Sequence, residues 1–432
     1  MYENKKIILF GASDVSGSRF EYVLNWVIDK GYEVEYFVDN DINRQGKIIN
    51  NNKIYSPTKL IEDNLKNCII IITSGYVKEI KLQLKKMGLK EGEEFISIYD
   101  WKELRDSYIH NEILKNIVKN EEGLYLPKRI NLEISSFCNM ECCYCPYHSK
   151  WLPHNEKTAN VFMDEECFNL IKNELSKMEY LDSITFGGKG ETLIHSKWFE
   201  YAETIQKETS IKNFEILTNG KLLNKENIEK LQKLKFENIY VTVSIDGYSA
   251  EENSNFRINS DYEVIRGNVK NLLEISKKNS AIKVSIMNVK VPSAESYYTE
   301  SELEIADYIK KDFDGLQYWG SYAISFNEVM DREFIKRGFL IENGFNTNLF
   351  VCKIPFNEIA FNAKGELLSC SCGNGQKNII GKFKNESLLK LWNNDEFNKM
   401  RQMFLNHKNP SVCKACPNNI ELKSYNIICR KK

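Results

Sequence analysis

No run of about 18 consecutive apolar residues occurs in the 432-residue chain, so no membrane-spanning helix is expected. The amino-terminal apolar stretch KKIILF passes straight into the glycine turn FGAS, which does not read as a signal peptide. An excess of one charge sign is also missing: 59 basic side chains stand against 60 acidic ones, a formal net charge of -1. A nucleic-acid surface usually requires a basic excess, so nucleic acid is not an expected partner. No internal repeat or low-complexity tract is evident beyond a general richness in Lys, Asn and Ile.

What the chain does have is 12 cysteines. Without export they would sit in a reducing cytoplasm, where close cysteine clusters more often bind metal than form disulfides. They gather at two places, Cys138–Cys145 and Cys352–Cys416, while Cys68, Cys143, Cys167, Cys372 and Cys429 stand apart or in doubtful roles.

At roughly 150 residues per domain the length suggests about three units. The first hundred residues alternate short apolar runs (KKIILF, YEVEYFV, NCIIIITSG) with amphipathic stretches, the pattern of a βαβ unit with parallel strands. A Rossmann-like α/β domain is expected over 1–105, with a helical linker over 106–126 that overlaps a charged stretch of about Trp101–Glu122. Strands are then expected at RINLEISSFC, Ser183–Phe186, Asn213–Thr218, Asn238–Ile245, near Ala281–Val291 and at Gln317–Phe326, with helices between them. That alternation predicts a parallel β/α sheet curved into a full or partial barrel over 127–335. A small domain over 345–432 follows, with short strands in NEIAFNAKGELLSC and a helix over Glu386–Leu405.

In such sheets chemistry collects at the carboxyl ends of the strands, and the first cysteine cluster lies at one of them. Cys138, Cys142 and Cys145 are separated by three and then two residues. Soft thiolates on so tight a loop can hold three corners of an iron–sulfur cube, leaving one iron open for a small chelating ligand. A zinc site is the alternative. Cys-x3-Cys-x2-Cys after the first strand, with the aromatic Tyr144 before the last cysteine, resembles the signature of the radical S-adenosylmethionine (SAM) superfamily. The resemblance implies a partial (β/α)6 barrel and a [4Fe-4S] cluster whose open iron binds SAM, from which reduction gives a 5′-deoxyadenosyl radical. A flavodoxin or ferredoxin-type electron donor is implied with it.

Three further segments resemble family motifs. Gly187-Gly188-Lys189-Gly190-Glu191 ends a strand, with Gly188, Gly190 and Glu191 expected to hold the ammonium group of SAM. Thr192 stands where many relatives have proline. Thr218-Asn219-Gly220 matches a common turn. Val243-Ser244-Ile245-Asp246-Gly247 suggests Ser244 and Asp246 at the cofactor, with Arg257 or Arg266 on its carboxylate, a role suited to the forked guanidinium. A surface ion pair is the alternative for either arginine.

The second cluster comprises Cys352, Gly365, Cys370, Cys413 and Cys416. Its spacing alone allows a tetrahedral zinc site or a second, fully ligated cube. After a radical SAM core, Cys-x12-Gly-x4-Cys followed by Cys-x2-Cys resembles the SPASM extension or its shortened form, twitch. Only Cys429 follows Cys416, which argues for one auxiliary [4Fe-4S] cluster on Cys352, Cys370, Cys413 and Cys416. Cys372 and Cys429 are then spare, and a thiol near a substrate radical can donate a hydrogen atom.

Near the start, Gly11 and Gly17 lie between a strand and a helix, and Asp39 ends the next strand, an arrangement resembling half of a nucleotide-binding fold. Ser13 stands where the second glycine of the fingerprint belongs, so either ligand binding or a scaffold role remains open.

These readings converge on a radical SAM oxidoreductase acting on a small molecule, a sugar, nucleotide sugar or aminocyclitol, whose hydroxyl it oxidises. Modification or epimerisation of a peptide or protein side chain is the second expectation. A zinc-stabilised nucleotide sensor without catalysis is the third.

Overall fold

The computed structural model describes residues 2, 5–13, 15–63, 65–153, 160–295, 304–325, 328–345, 352–371, 379–384, 387–406, 408, 410, 413 and 424–431. It divides into two compact units, one over Met1–Lys115 and the other over Asn116–Phe345 and Cys352–Lys432. Among the described residues no helix is long and apolar enough to cross a membrane.

The first unit is a single sheet with helices. Its elements are β1 (Lys6–Phe10), α1 (Arg19–Asp29), β2 (Val34–Val38), β3 (Ile48–Ile49), β4 (Asn52–Tyr55), α2 (Lys59–Glu62), β5 (Cys68–Ile72), α3 (Val77–Lys86), β6 (Phe95–Ser97) and α4 (Lys102–Leu114). The strand order is β3-β4-β2-β1-β5-β6, and only the β3–β4 pair is antiparallel. Strand β5, CIIII, is buried along its whole length, as expected of a strand covered on both faces. The chain leaves β1 towards β2 on one side and later enters β5 on the other, which opens a crevice at the carboxyl ends of those strands. The helical stretch expected in the linker belongs here: Leu104 and Tyr108 of α4 lie buried in this unit's core. An apolar stripe toward the first core outweighs the charged surface that suggested a connector.

The second unit holds the remaining elements: β7 (Arg129–Leu132), α5 (Glu165–Leu175), β8 (Ser183–Phe186), α6 (Trp198–Glu208), β9 (Asn213–Thr218), α7 (Lys225–Lys233), β10 (Asn238–Ser244), α8 (Ala250–Phe256), α9 (Tyr262–Ser276), β11 (Ile282–Lys290), α10 (Asp307–Asp312), β12 (Gln317–Tyr322), α11 (Glu328–Lys336), β13 (Leu340–Phe345), α12 (Ile354–Asn357), β14 (Glu358–Phe361), β15 (Glu366–Leu368), β16 (Ile379–Lys382), α13 (Leu388–Trp392), α14 (Asp395–Leu405) and β17 (Ser424–Cys429). Strands β7 to β12 are parallel and adjacent in chain order, the partial (β/α)6 barrel that the resemblance implies. Alternate residues divide the sheet into two faces. Ile130, Leu132, Ile184, Phe186, Phe214, Ile216, Val241 and Val243 are buried and apolar on one. Polar groups line the other.

Strand β14 pairs in parallel with β7, so the β14–β15–β16 meander continues the barrel sheet. The helix expected over Glu386–Leu405 is two helices, because Asn394 caps the second by accepting from the Phe397 N–H. Behind the break Arg401 is fully buried, stacked on Tyr125 and Trp392, with Nε donating to the Pro355 carbonyl at 2.8 Å and Nη2 to that of Trp392 at 2.8 Å.

Candidate active site

The loop after β7 carries the first cysteines, and backbone hydrogen bonds give it its shape. Glu141 N donates to the Ile258 carbonyl at 3.0 Å and Cys143 N to that of Phe256 at 2.8 Å, which fastens the loop to the end of α8. Cys143 points the other way, buried with Leu152, Phe256 and Val291, which separates it from the three spaced thiols. Sγ of Cys145 accepts from the N–H groups of Tyr147 at 3.4 Å and His148 at 3.3 Å. Burial pushes the Cys138 thiol up to about 11 and that of Cys145 up to about 12, and Cys142 also raises the latter. Thiols held this way stay protonated until a cation replaces the protons.

Asp246, at the end of β10, is the hub beside this loop. Its carboxylate accepts from the Tyr144 hydroxyl, from Arg257 Nη1 at 2.5 Å and from Val289 N at 2.8 Å, and its carbonyl accepts from the Tyr308 hydroxyl at 2.7 Å. It has no exposed surface. Asp246 therefore positions its neighbours and presents no open acceptor of the kind a bound cofactor would meet. Arg257 is buried, its charge favoured by Cys142 and Asp246, and its Nε has no partner among the described residues. Arg266 sits elsewhere, on the surface of α9, paired with Glu263 at 2.9 Å and Asp312 at 3.0 Å. Of the two arginines expected at the cofactor, the fold brings Arg257 to the thiols. Ser244 ends β10 on the polar face.

The glycine-rich turn after β8 packs directly on the thiol loop. A Cβ at Gly190 would stand 2.4 Å from the Phe137 carbonyl oxygen, and one at Gly188 would stand 2.4 Å from the Glu133 carboxylate. Glu191 N donates to the same Phe137 carbonyl at 2.7 Å. The buried Glu191 carboxylate accepts from Leu193 N at 3.1 Å, the Thr218 hydroxyl at 2.9 Å and Asn219 N at 2.7 Å. The acid expected to meet the ammonium group thus also holds the neighbouring turn, whose Asn219 side chain donates to Asn139 of the thiol loop at 2.6 Å.

Sequence reasoning missed Glu133. Buried one residue past β7, its carboxylate accepts from Lys189 N of the glycine turn at 2.7 Å and Ala363 N of the β14–β15 turn at 3.2 Å. Burial raises its pKa. The alternation in RINLEISSFC could have flagged an acid on the polar face, but its partners come from distant segments.

Cys352, Cys370 and Cys413 are partly exposed, whereas Cys416 and Cys372 lie outside the described residues. Gly365 turns the β14–β15 hairpin at φ +69°, conformationally costly for other residues. Cys429 is fully buried in β17 near Tyr322 and Ile427. Among the described residues no three His, Cys, Asp or Glu side chains converge on a single-ion geometry. Thiolates on three corners of a cube need no such convergence. Gly11 and Asp39 line the crevice of the first unit; Gly17 turns the approach to α1 at φ +75°, with no atom within 4 Å of a Cβ placed there.

Family comparison agrees with this architecture: the description Radical SAM superfamily matches residues 132–296, and the SPASM description, iron-sulfur cluster-binding domain, matches 352–417. Residues 132–296 thus form a radical SAM domain and 352–417 an iron-sulfur cluster-binding domain. These domains imply [4Fe-4S] clusters and SAM as cofactors. The half-buried thiol set and the partnerless Nε of Arg257 fit them. A third description, C2185-like N-terminal, matches residues 3–94.

A cysteine-type anaerobic sulfatase-maturating enzyme of Clostridium perfringens is 32% identical over 125 residues, 28% of this chain and 33% of that one. The chain thus aligns with about a third of that relative's length. An S-adenosyl-L-methionine-dependent 2-deoxy-scyllo-inosamine dehydrogenase of Niallia circulans is 21% identical over 304 residues, covering 68% of this chain and 94% of that one. A crystal structure of BtrN in complex with AdoMet and 2-DOIA covers 67% of this chain and 92% of its own, at 18% identity and a TM-score of 0.44.

Proposed function

We propose that this radical SAM chain dehydrogenates a hydroxyl of a small carbohydrate-like or aminocyclitol-like substrate. Cys138, Cys142 and Cys145 would hold the SAM-binding cluster, and Cys352, Cys370, Cys413 and Cys416 an auxiliary one. When bound, these groups supply a 5′-deoxyadenosyl radical that takes a hydrogen atom from the carbinol and an acceptor for the electron that remains. The protein supplies position and a dry, polar cradle.

The observation that carries this reading is the polar face of the barrel sheet. Arg129 on β7 pairs with Glu215 on β9 at 3.0 Å, and Thr185 on β8 donates to the same carboxylate at 2.8 Å. On β14, in register with Arg129, the Glu358 carboxyl has Oε1 buried with no partner among the described residues, and burial raises its pKa. Further along, Asn238 is bonded to Asn213 and Lys283, and Thr242 to Ser285. A face of polar side chains with one unpartnered buried carboxyl oxygen, Oε1 of Glu358, suits a hydroxylated ligand, because an apolar one would leave that oxygen without a donor. The 94% coverage of the inosamine dehydrogenase supports the same class.

The match to a sulfatase-maturating enzyme favours a second reading, oxidation of a protein side chain. Anaerobic turnover with a panel of sugars, aminocyclitols and cysteine- or serine-containing peptides decides. A ketone formed with one 5′-deoxyadenosine per product supports the first reading, and an oxidised peptide the second. A product of unchanged oxidation state contradicts both.

A further inference from the structure

The first unit contains a feature that the radical chemistry does not use. At the crevice between β1 and β5 lies a cavity of about 700 Å³, formed by the loops that follow β1, β2 and β5. One cation in its wall makes no ion pair among the described residues, although Tyr99, Tyr108 and the more distant Glu112 favour its charge. Arg19, the first residue of α1, packs its guanidinium over the Tyr99 and Tyr108 rings at 5.5 and 5.7 Å and donates from Nη1 to the Ser74 carbonyl at 3.0 Å. Its Nε is buried without a partner, and among the described residues no carboxylate lies within ion-pairing distance. The other arginine lining the cavity, Arg44, is already paired with Asp39 at 3.3 Å and Asp41 at 3.6 Å. A half-buried guanidinium without an ion pair keeps donors available to an incoming anion.

Two helices, α1 and α3, begin at this wall; their amino ends add partial positive charge, offset in part by Glu21 and Glu79 in their first turns, of which Glu79 lines the cavity. Across the crevice stands Asp39 after β2, the position from which an acid bonds ribose hydroxyls in parallel α/β sheets; its oxygens accept one bond each, from Asp41 N at 2.8 Å and Arg44 at 3.3 Å, which leaves lone pairs for a hydroxyl. At the rim Tyr76 exposes 58% of its surface, a bare ring available for stacking. Gly11 serves the walls of the cavity: at φ +107° its Cβ would stand 2.8 Å from the Ser74 backbone nitrogen, so the loops after β1 and β5 touch there only because it is glycine.

We propose that this cavity binds a nucleoside phosphate, with the phosphate on Arg19, the ribose toward Asp39 and the base beside Tyr76. The volume far exceeds that of a bare phosphate, and the combination of one anion-seeking group, one hydroxyl acceptor and one ring matches the three parts of a nucleotide. Ser13, in place of the second fingerprint glycine, narrows the approach that a bridging pyrophosphate of a dinucleotide would need, so mononucleotides are the preferred class.

The test is calorimetry on the full chain under anaerobic conditions, without SAM, using ADP, UDP, GDP, the matching nucleosides, NAD and inorganic pyrophosphate as probes. At least one diphosphate binds at micromolar concentration, its nucleoside at least tenfold more weakly. Arg19→Met weakens the diphosphate at least tenfold and leaves the nucleoside unchanged. Tyr76→Ala, an exposed position that does not threaten folding, weakens nucleoside and nucleotide alike. If no nucleotide binds the folded chain at millimolar concentration, if pyrophosphate binds as tightly as every nucleotide, or if folded Arg19→Met and Tyr76→Ala both bind like the parent, the proposal is overturned. None of these outcomes depends on substrate turnover.

Discussion

Tyr144 donates its hydroxyl hydrogen to Oδ2 of Asp246, a carboxylate 102 residues further along the chain with no exposed surface. The residue beside the last cysteine of the thiol loop is thereby tied to the end of β10, and through the same carboxylate to Arg257 and β11. Removing each partner should give a graded effect. Tyr144→Phe loses one charge-assisted hydrogen bond, worth about 1.5–3 kcal/mol. Asp246→Asn leaves the Arg257 charge buried beside a neutral amide, a loss of about 3–5 kcal/mol. Urea unfolding and iron content after reconstitution should rank parent above Tyr144→Phe above Asp246→Asn.

Gly190→Ala tests the packing of the glycine turn on the thiol loop. The added methyl meets three backbone atoms within 2.6 Å, none on a flexible side chain. The thiol loop must move, so iron content should fall by about half, four of about eight irons, with circular dichroism little changed. Gly17→Ala, with nothing within 4 Å, should keep its full iron complement.

The spacing of Cys138, Cys142 and Cys145 was legible because a tight loop is a local feature, and the barrel strands were legible because alternation or a continuous apolar run is local too. The tether from Tyr144 to Asp246, the Glu133 bridge and the pairing of β14 with β7 were not. Each joins segments far apart in the chain, and nothing in their local patterns names a partner. Arg257 and Arg266 illustrate the same limit: both follow the Ser244–Gly247 motif, and only packing turns the first inward and leaves the second paired at the surface. The charged stretch over Trp101–Glu122 read as a connector because its acidic and basic residues outnumber the few apolar positions of α4 that face the core.

Arg401 should matter for stability without touching the barrel. It is fully buried, pairs with no carboxylate among the described residues, and burial lowers its pKa to about 10. Arg401→Met keeps much of the apolar bulk but strips donors from the carbonyls of Pro355 and Trp392, a loss of about 2–4 kcal/mol. The check is a drop in the urea midpoint with the thiol loop's iron retained.

His195 predicts a pH effect on stability. It is buried between the Met163 carbonyl and the Lys197 N–H, and burial lowers its pKa below the ordinary 6.5. The unfolded chain therefore takes up a proton at this site before the folded chain does, and the stability it contributes is present above 6.5 and lost as pH falls below it. Urea midpoints compared at about pH 7.5 and 5.5 should fall less steeply for His195→Gln than for the parent.

The most direct test of the whole account is 5′-deoxyadenosine release from SAM by the reconstituted chain under strong chemical reduction, read beside iron content. The account predicts about eight irons and steady release in the parent. Single alanine replacements of Cys138, Cys142 or Cys145 should lose about four irons and abolish release, while Cys143→Ala leaves both intact. Release that persists in all three replacements, or a fully iron-loaded parent that releases none, would contradict it.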